Sequence, residues 1–211
     1  MTARPARVVF VAGTTTDVGK TWVAAAVLGQ LRAGGHRVAA RKPAQSFDTA
    51  DACTDADVLA AATGESPHDV CPPHRWYPRP LAPPMAAEVL GEPAFTVSEL
   101  LAELRWPDGA HVGVVEGAGG PRSPLATDGD NVDVARGIAP DLVLLVADAG
   151  LGAINAVRMS VDAFAGLAVV VTLNRYDDGD PLHRRNRHWL ADHDGFVVVT
   201  DCEHASRRIL T

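Results

Sequence analysis

The chain has 211 residues, 47% of them hydrophobic and 21% charged, enough for one compact domain over 1–211 and too little for a second large one. Its formal net charge of -7 argues against broad affinity for nucleic acid or an anionic membrane, because neutralising phosphates needs clustered Lys and Arg. Cys53, Cys71 and Cys202 are odd in number and lack CxxC spacing, which speaks against a disulfide framework or a tetrathiolate zinc site. With no apolar run of about 18 residues and no signal-peptide core ahead of Val8, the expected location is cytoplasmic.

Short, near-continuous apolar runs recur at Val8–Ala12, Val38–Ala40, Val112–Val115, Leu142–Ala147, Val169–Leu173 and Phe196–Val199. Runs of this kind read as strands buried on both faces. Helices are predicted over Lys20–Ala33, Asp55–Thr63, Val97–Glu103, Ile154–Ala165 and Leu182–His193, with Gly34 and Gly35 closing the first. The alternation predicts an α/β fold: a doubly wound, mostly parallel sheet in a single P-loop NTPase-like domain. Ser66–Pro93 holds eight of the 15 prolines and reads as an irregular excursion from the sheet, a kind of segment that is often functional.

Four stretches carry chemistry. In VVFVAGTTTDVGKTWVAA, a buried strand runs through a Gly-containing loop (13–21) into a helix, but five residues separate Gly13 from Gly19 where the usual phosphate-loop pattern has four. Glycines let successive N–H groups point at phosphate oxygens, the helix start adds its positive end, Lys20 supplies a charge, and the Thr21 hydroxyl suits Mg²⁺. The plain alternative is a strand-to-helix turn with a surface lysine. In ARKPAQS, Lys42 stands at a strand's C-terminal end, where ligands of open α/β sheets bind, and Ser46 offers a hydroxyl nearby; alone, such a lysine is equally a solvated loop residue.

In HVGVVEGAGG, a buried strand delivers Glu116 to where the Mg²⁺ of a P-loop enzyme needs an acidic ligand, and the glycines after it, Gly119 among them, let the backbone pass close to a ligand. In ADAGLGAINAV, the N–H groups of Gly152, Ala153, Ile154 and Asn155 suit a carboxylate at a helix start, or make a simple glycine-eased turn.

Together GTTTDVGKT, KPAQS, PLAPPMAAE, VEGAGG, LGAIN and the late TLN occur in one order from about Val8 to Asn174, and in this the chain resembles the dethiobiotin synthases. The resemblance implies ATP-dependent closure of a cyclic urea: 7,8-diaminopelargonate, CO₂ and ATP give dethiobiotin, ADP and phosphate, by way of a carbamate and a carbamic-phosphoric anhydride. It implies catalytic roles for Lys20, Lys42 and Thr16, with the two lysines flanking the γ-phosphate and the carbamate. Thr16 and Ser46 would bond the carbamate or its parent amine. Gly13, Thr14, Asp17, Val18, Gly19, Lys20 and Thr21 would hold the nucleotide phosphates, with Asn174 and Arg175 at the base. Among Asp48, Asp51, Asp55 and Asp57 it selects Asp55 to join Thr21 and Glu116 around Mg²⁺, although Asp55 also suits a helix cap or first turn.

A substrate carboxylate held by Gly152–Asn155 of a partner subunit would make the protein a homodimer with its active site at the interface. Three departures stand out. Asp17 replaces a frequent Glu, Phe47 follows Ser46 where a small residue is common, and no proline-containing loop follows the last strand, which leaves the place of ATP open to another nucleoside triphosphate.

Two rivals follow from the same residues. One is a related P-loop ligase acting on another amine or carboxylate. The other is a partitioning-type nucleotide switch, disfavoured because the early loop lysine of such switches is Thr15 here. A decayed nucleotide binder is disfavoured by the intact Lys20, Thr21, Lys42 and Glu116. His68, Cys71 and His74 read as loop residues, HRRNRH as a solvated helix face, and the scattered Trp22, Trp76, Trp106 and Trp189 as packing residues.

Overall fold

A computed structural model describes residues 4–211. Six strands form one sheet: β1 (Arg7–Gly13), β2 (Val38–Arg41), β3 (Val112–Glu116), β4 (Leu142–Asp148), β5 (Val169–Asn174) and β6 (Val197–Val199). Their spatial order is β6-β5-β4-β1-β3-β2, and every pairing is parallel. Each predicted strand is present, and the sheet is parallel throughout.

The helices are α1 (Lys20–Ala33), α2 (Asp55–Thr63), α3 (Pro83–Leu90), α4 (Val97–Glu103), α5 (Asn131–Ile138), α6 (Ala153–Ala163), α7 (Pro181–His188) and α8 (Cys202–Leu210). Side chains of β1 alternate between two cores. Val9 and Val11 pack with Val23 and Val27 of α1, Leu59 of α2 and Ile209 of α8. Phe10 and Ala12 pack with Leu100 of α4, Val132 of α5 and Val157 of α6 on the opposite face. Among the described residues, no helix is long and apolar enough to cross a membrane.

Register brings the chemistry to one edge. Val11 lies beside Glu116, Gly13 beside Val146, and Asp148 beside Asn174. The connection leaving β1 packs on one face and that leaving β3 on the other, so the crevice between these neighbours is a topological switch point, where open α/β sheets bind ligands.

Two expectations are corrected. Ser66–Pro93 is not irregular throughout: it contains a short helix at Pro67–Val70 and the whole of α3, while Trp76–Tyr77 pairs with Gln45–Ser46. Pro67, Pro73, Pro83 and Pro84 stand at helix starts, where the missing N–H costs nothing. The tryptophans divide. Trp76 meets Phe47 and His68 edge-on and Trp106 lies under Arg41, but Trp189 is 42% and Trp22 63% exposed. Trp22 stands on the first turn of α1 beside the phosphate loop.

Candidate active site

The longer loop is closed by its own groups. Gly19 has φ +92°, a left-handed conformation that favours glycine, and leads into α1 with no side-chain cap, so the helix's positive end is left to a ligand. The Val18 side chain turns into the core while its carbonyl accepts from Asn174 Nδ2 at 2.8 Å. Asp17, also left-handed at φ 60°, presents its carbonyl to the Arg175 guanidinium at 3.1 Å. Lys20 Nζ donates to the Thr15 carbonyl at 3.1 Å across the loop. A Cβ on Gly13 would meet Thr15 O and Val18 Cγ2 at 2.8 Å, so this tight fold requires a glycine.

Beside the loop, Lys42 is 2% exposed and its ammonium is fully engaged. It lies 2.6 Å from Asp55 Oδ2 and 2.7 Å from Glu116 Oε1, and donates to the Gly117 carbonyl at 2.9 Å. Thr21 Oγ1 lies 2.8 Å from Asp55 Oδ1 and 2.9 Å from Glu116 Oε1. One hydroxyl proton serves one of these acceptors at a time. Glu116 is wholly buried, and its Oε2 has no hydrogen-bond partner.

The four aspartates have different surroundings. Asp57 forms a capping box with Thr54, and Asp48 and Asp51 shape an exposed turn. Asp55, in the first turn of α2 behind the Thr54 cap, alone among these four reaches Lys42 and Thr21. Gln45 fixes this arrangement by accepting from Ala56 N at 3.0 Å and donating to Thr54 Oγ1 at 3.3 Å.

Burial sets the protonation tendencies. It would lower the Lys42 pKa, but Asp55 and Glu116 more than offset it and hold the ammonium above its usual range. Burial pushes the Glu116 carboxyl up despite Lys42, whereas Asp55 is held below its ordinary value because Lys42 and Thr21 outweigh desolvation. Lys20 is pushed down, first by burial and then by the nearby Lys42 charge.

Lys20, Thr21, Lys42 and Asp55 line a cavity of about 900 Å³ that also takes in Thr16, Asp17, Gly19, Ser46, Phe47, Gly119 and Arg175, with Glu116 buried behind this wall. A second cavity of about 910 Å³, between α1 and α8, is lined by Thr172, Asn174 and Tyr176 and shares Gly19, Trp22 and Arg175 with the first. The sequence reading took Trp22 for a packing residue and passed over Thr172. An apolar residue directly after GKT was the available signal for Trp22; nothing in VVVTLN singled out Thr172.

A family model described as an AAA domain matches residues 7–193. A protein of Caulobacter vibrioides named ATP-dependent dethiobiotin synthetase is 45% identical over 152 residues, covering 68% of this chain and 67% of its own. A Haloferax mediterranei protein of the same name is 37% identical over 195 residues, covering 90% and 81%. The chain belongs to the dethiobiotin synthetase family. Among solved structures, a plasmid partition protein from Borrelia burgdorferi bound to AMPPNP superposes with a TM-score of 0.57 at 12% identity, covering 94% of this chain and 88% of that one. The chloroplast FtsY of Physcomitrella patens gives 0.55 at 18%, covering 100% and 67%. At such identities these two share the fold alone.

For a dethiobiotin synthetase family member the residue placement is informative. Lys20, Thr21, Lys42, Asp55 and Glu116 converge, with Thr16, Ser46 and Gly119 on the same cavity wall. Gly13, Thr14 and Val18 line neither cavity, leaving only their loop backbone for a phosphate. Gly152–Asn155 line neither cavity and open α6 without a side-chain cap, Gly152 being left-handed at φ 92°. Ser46 Oγ donates to the Leu81 carbonyl at 2.5 Å, which leaves it lone pairs to accept with. His68, Cys71 and His74 do not converge: His68 packs on Trp76, His74 faces Glu103, and Cys71 is buried.

Proposed function

We propose that this protein is an ATP-dependent dethiobiotin synthetase acting on 7,8-diaminopelargonate and CO₂. The observation that carries the reading is the cluster of Lys42, Asp55, Glu116 and Thr21, with Lys42 and Glu116 buried, set against the Lys20 end of the phosphate loop. The reaction has three bond-making steps. One substrate amine attacks CO₂ and loses a proton, giving a carbamate. A carbamate oxygen then takes the γ-phosphoryl group as the bond to ADP breaks. The second amine attacks the carbonyl carbon of that anhydride, closes the urea and releases phosphate and a proton. In each step the protein's task is to hold anions together and oppose their charge.

Lys20, on the loop, suits the outer phosphates, and Lys42 suits the carbamate and the transferring group. Ser46, whose proton goes to Leu81, suits an amine N–H, whereas the exposed Thr16 hydroxyl is free to donate to a carbamate oxygen. The oxygen donors Thr21, Asp55 and Glu116 fit Mg²⁺, a hard cation, and the unpartnered Glu116 Oε2 is the atom that a cation would satisfy. Bound there with nucleotide, Mg²⁺ would neutralise charge on the phosphates. Lys42 pairs with both carboxylates, which holds its ammonium beside the oxygen donors that would carry the cation.

The uncapped start at Gly152–Asn155 lies outside the cavity and suits a substrate carboxylate; by the family resemblance that carboxylate belongs to a second subunit, in a homodimer working in the cytoplasm. The test is purified protein with Mg²⁺, bicarbonate, a panel of nucleoside triphosphates and 7,8-diaminopelargonate. The cyclic urea should appear by mass spectrometry with matching phosphate release. Phosphate release that ignores the diamine, with no cyclic urea, would overturn the reading.

A further inference from the structure

The second cavity carries a polar group that the structure leaves unused. Thr172 of β5 is 2% exposed, and its Oγ1 has no hydrogen-bond partner. Among the described residues the only other such side-chain atom is Glu116 Oε2, which belongs to the proposed cation donors. Strand alternation sets Thr172 on the face of Val170 and Asn174, toward α1 and α8. Its neighbours in register are Val146 on β4 and Val199 on β6. Valine has the same shape and would meet every apolar demand of that position, yet the chain keeps a hydroxyl there. A buried hydroxyl without a partner is destabilising unless a ligand or water completes it.

The cavity above Thr172 shares Gly19, Trp22 and Arg175 with the phosphate cavity. A nucleotide whose phosphates rest on the loop therefore has a place for its base beside Thr172, in a pocket with the apolar walls Val23 and Ala26. Beyond β6 the chain turns at Thr200 and enters α8 at its Asp201 cap, so recognition of the base falls to the strand and the two helices.

We propose that Thr172 reads the nucleobase, its hydroxyl bonding the polar edge of the base and helping to set this protein's nucleotide preference. The inference rests on the proposed nucleotide-dependent function. It is tested by equilibrium binding of Mg²⁺ with ATP, CTP, GTP, UTP and base-free tripolyphosphate to the full chain and to its Thr172→Val and Thr172→Ser variants. Loss of one neutral hydrogen bond corresponds to roughly 3- to 10-fold weaker binding. Thr172→Val should show this for the preferred nucleotide, lose no thermal stability and leave tripolyphosphate binding unchanged, while Thr172→Ser, which keeps the hydroxyl, should retain affinity. Unchanged binding of all four nucleotides to Thr172→Val would overturn the assignment, as would equal loss for tripolyphosphate. Wild-type protein that binds neither nucleotides nor tripolyphosphate would instead overturn the underlying function.

Discussion

The two cavities that meet at Gly19 are built on opposite plans. In the first, buried charges of both signs answer one another: Lys42 lies between Asp55 and Glu116, and Thr21 bridges the same carboxylates. In the second, Val23 and Ala26 form apolar walls near one unpartnered hydroxyl. Taking charge out of water is costly unless each ion is paired, and here the buried Lys42 and Glu116 are held in mutual balance with Asp55. A site that recognises a flat, weakly polar ring needs only shape and a bond or two.

Substitutions at each cavity and at the wall between them sharpen this contrast. The largest effect is expected from Lys42→Met, which strips both carboxylates of their counter-charge. Turnover should fall by about 10²–10³ or more, and urea denaturation should show a loss of about 3–5 kcal/mol. The deficit should narrow in acid. Asp55, held below its ordinary value of 3.8, contributes stability above that pH and loses it as pH falls through its lower folded value. Mn²⁺ titration without nucleotide should show tighter binding to this variant than to wild type; equal affinity would mean that Lys42 does not compete with a cation for these carboxylates.

Gly19→Ala acts on the wall itself. The left-handed φ of +92°, and a new Cβ that would stand only 2.2 Å from Asn174 Nδ2, should cost about 1–2 kcal/mol in backbone strain alone, together with weakened binding of every nucleotide and of tripolyphosphate. A melt superimposable on wild type would show that the wall yields freely. The mildest change is Trp22→Phe. Nucleotide binding should still occur within about 10-fold of wild type, but the drop in intrinsic fluorescence on binding should largely vanish. A fully retained signal would place the ligand away from the indole.

The sheet was readable because parallel strands covered on both faces leave uninterrupted apolar runs, and all six runs became strands. Helices with little apolar content were harder to see. Helix α8, CEHASRRIL, buries only Ala205, Ser206 and Ile209, and α3 begins with two prolines that read as breakers until their place in the first turn is known. Helix α5 had its signature in plain sight, Asp130 and Asp133 forming a capping box, but lay beside a Gly-rich turn. At the site, sequence order placed Lys20, Lys42 and Glu116 on one sheet edge. It held no sign that Lys42 would sit on the very carboxylates assigned to the cation, since that depends on how α2 approaches β3 across a long stretch of intervening chain. Thr172 was hidden for a simpler reason: in a strand, threonine is as ordinary as valine.

The brace made by Gln45 has a further consequence. By clasping Thr54 and Ala56, it fastens the two ends of the exposed turn 47–53 independently of what lies between them. The turn forms the rim of the first cavity through Phe47, Asp48, Asp51 and Cys53, while Lys42 and Asp55 stay anchored outside it. Such a rim can be lengthened, shortened or resequenced with little disturbance to the groups that handle the phosphoryl transfer, and this gives the scaffold a replaceable mouth on a fixed reaction chamber.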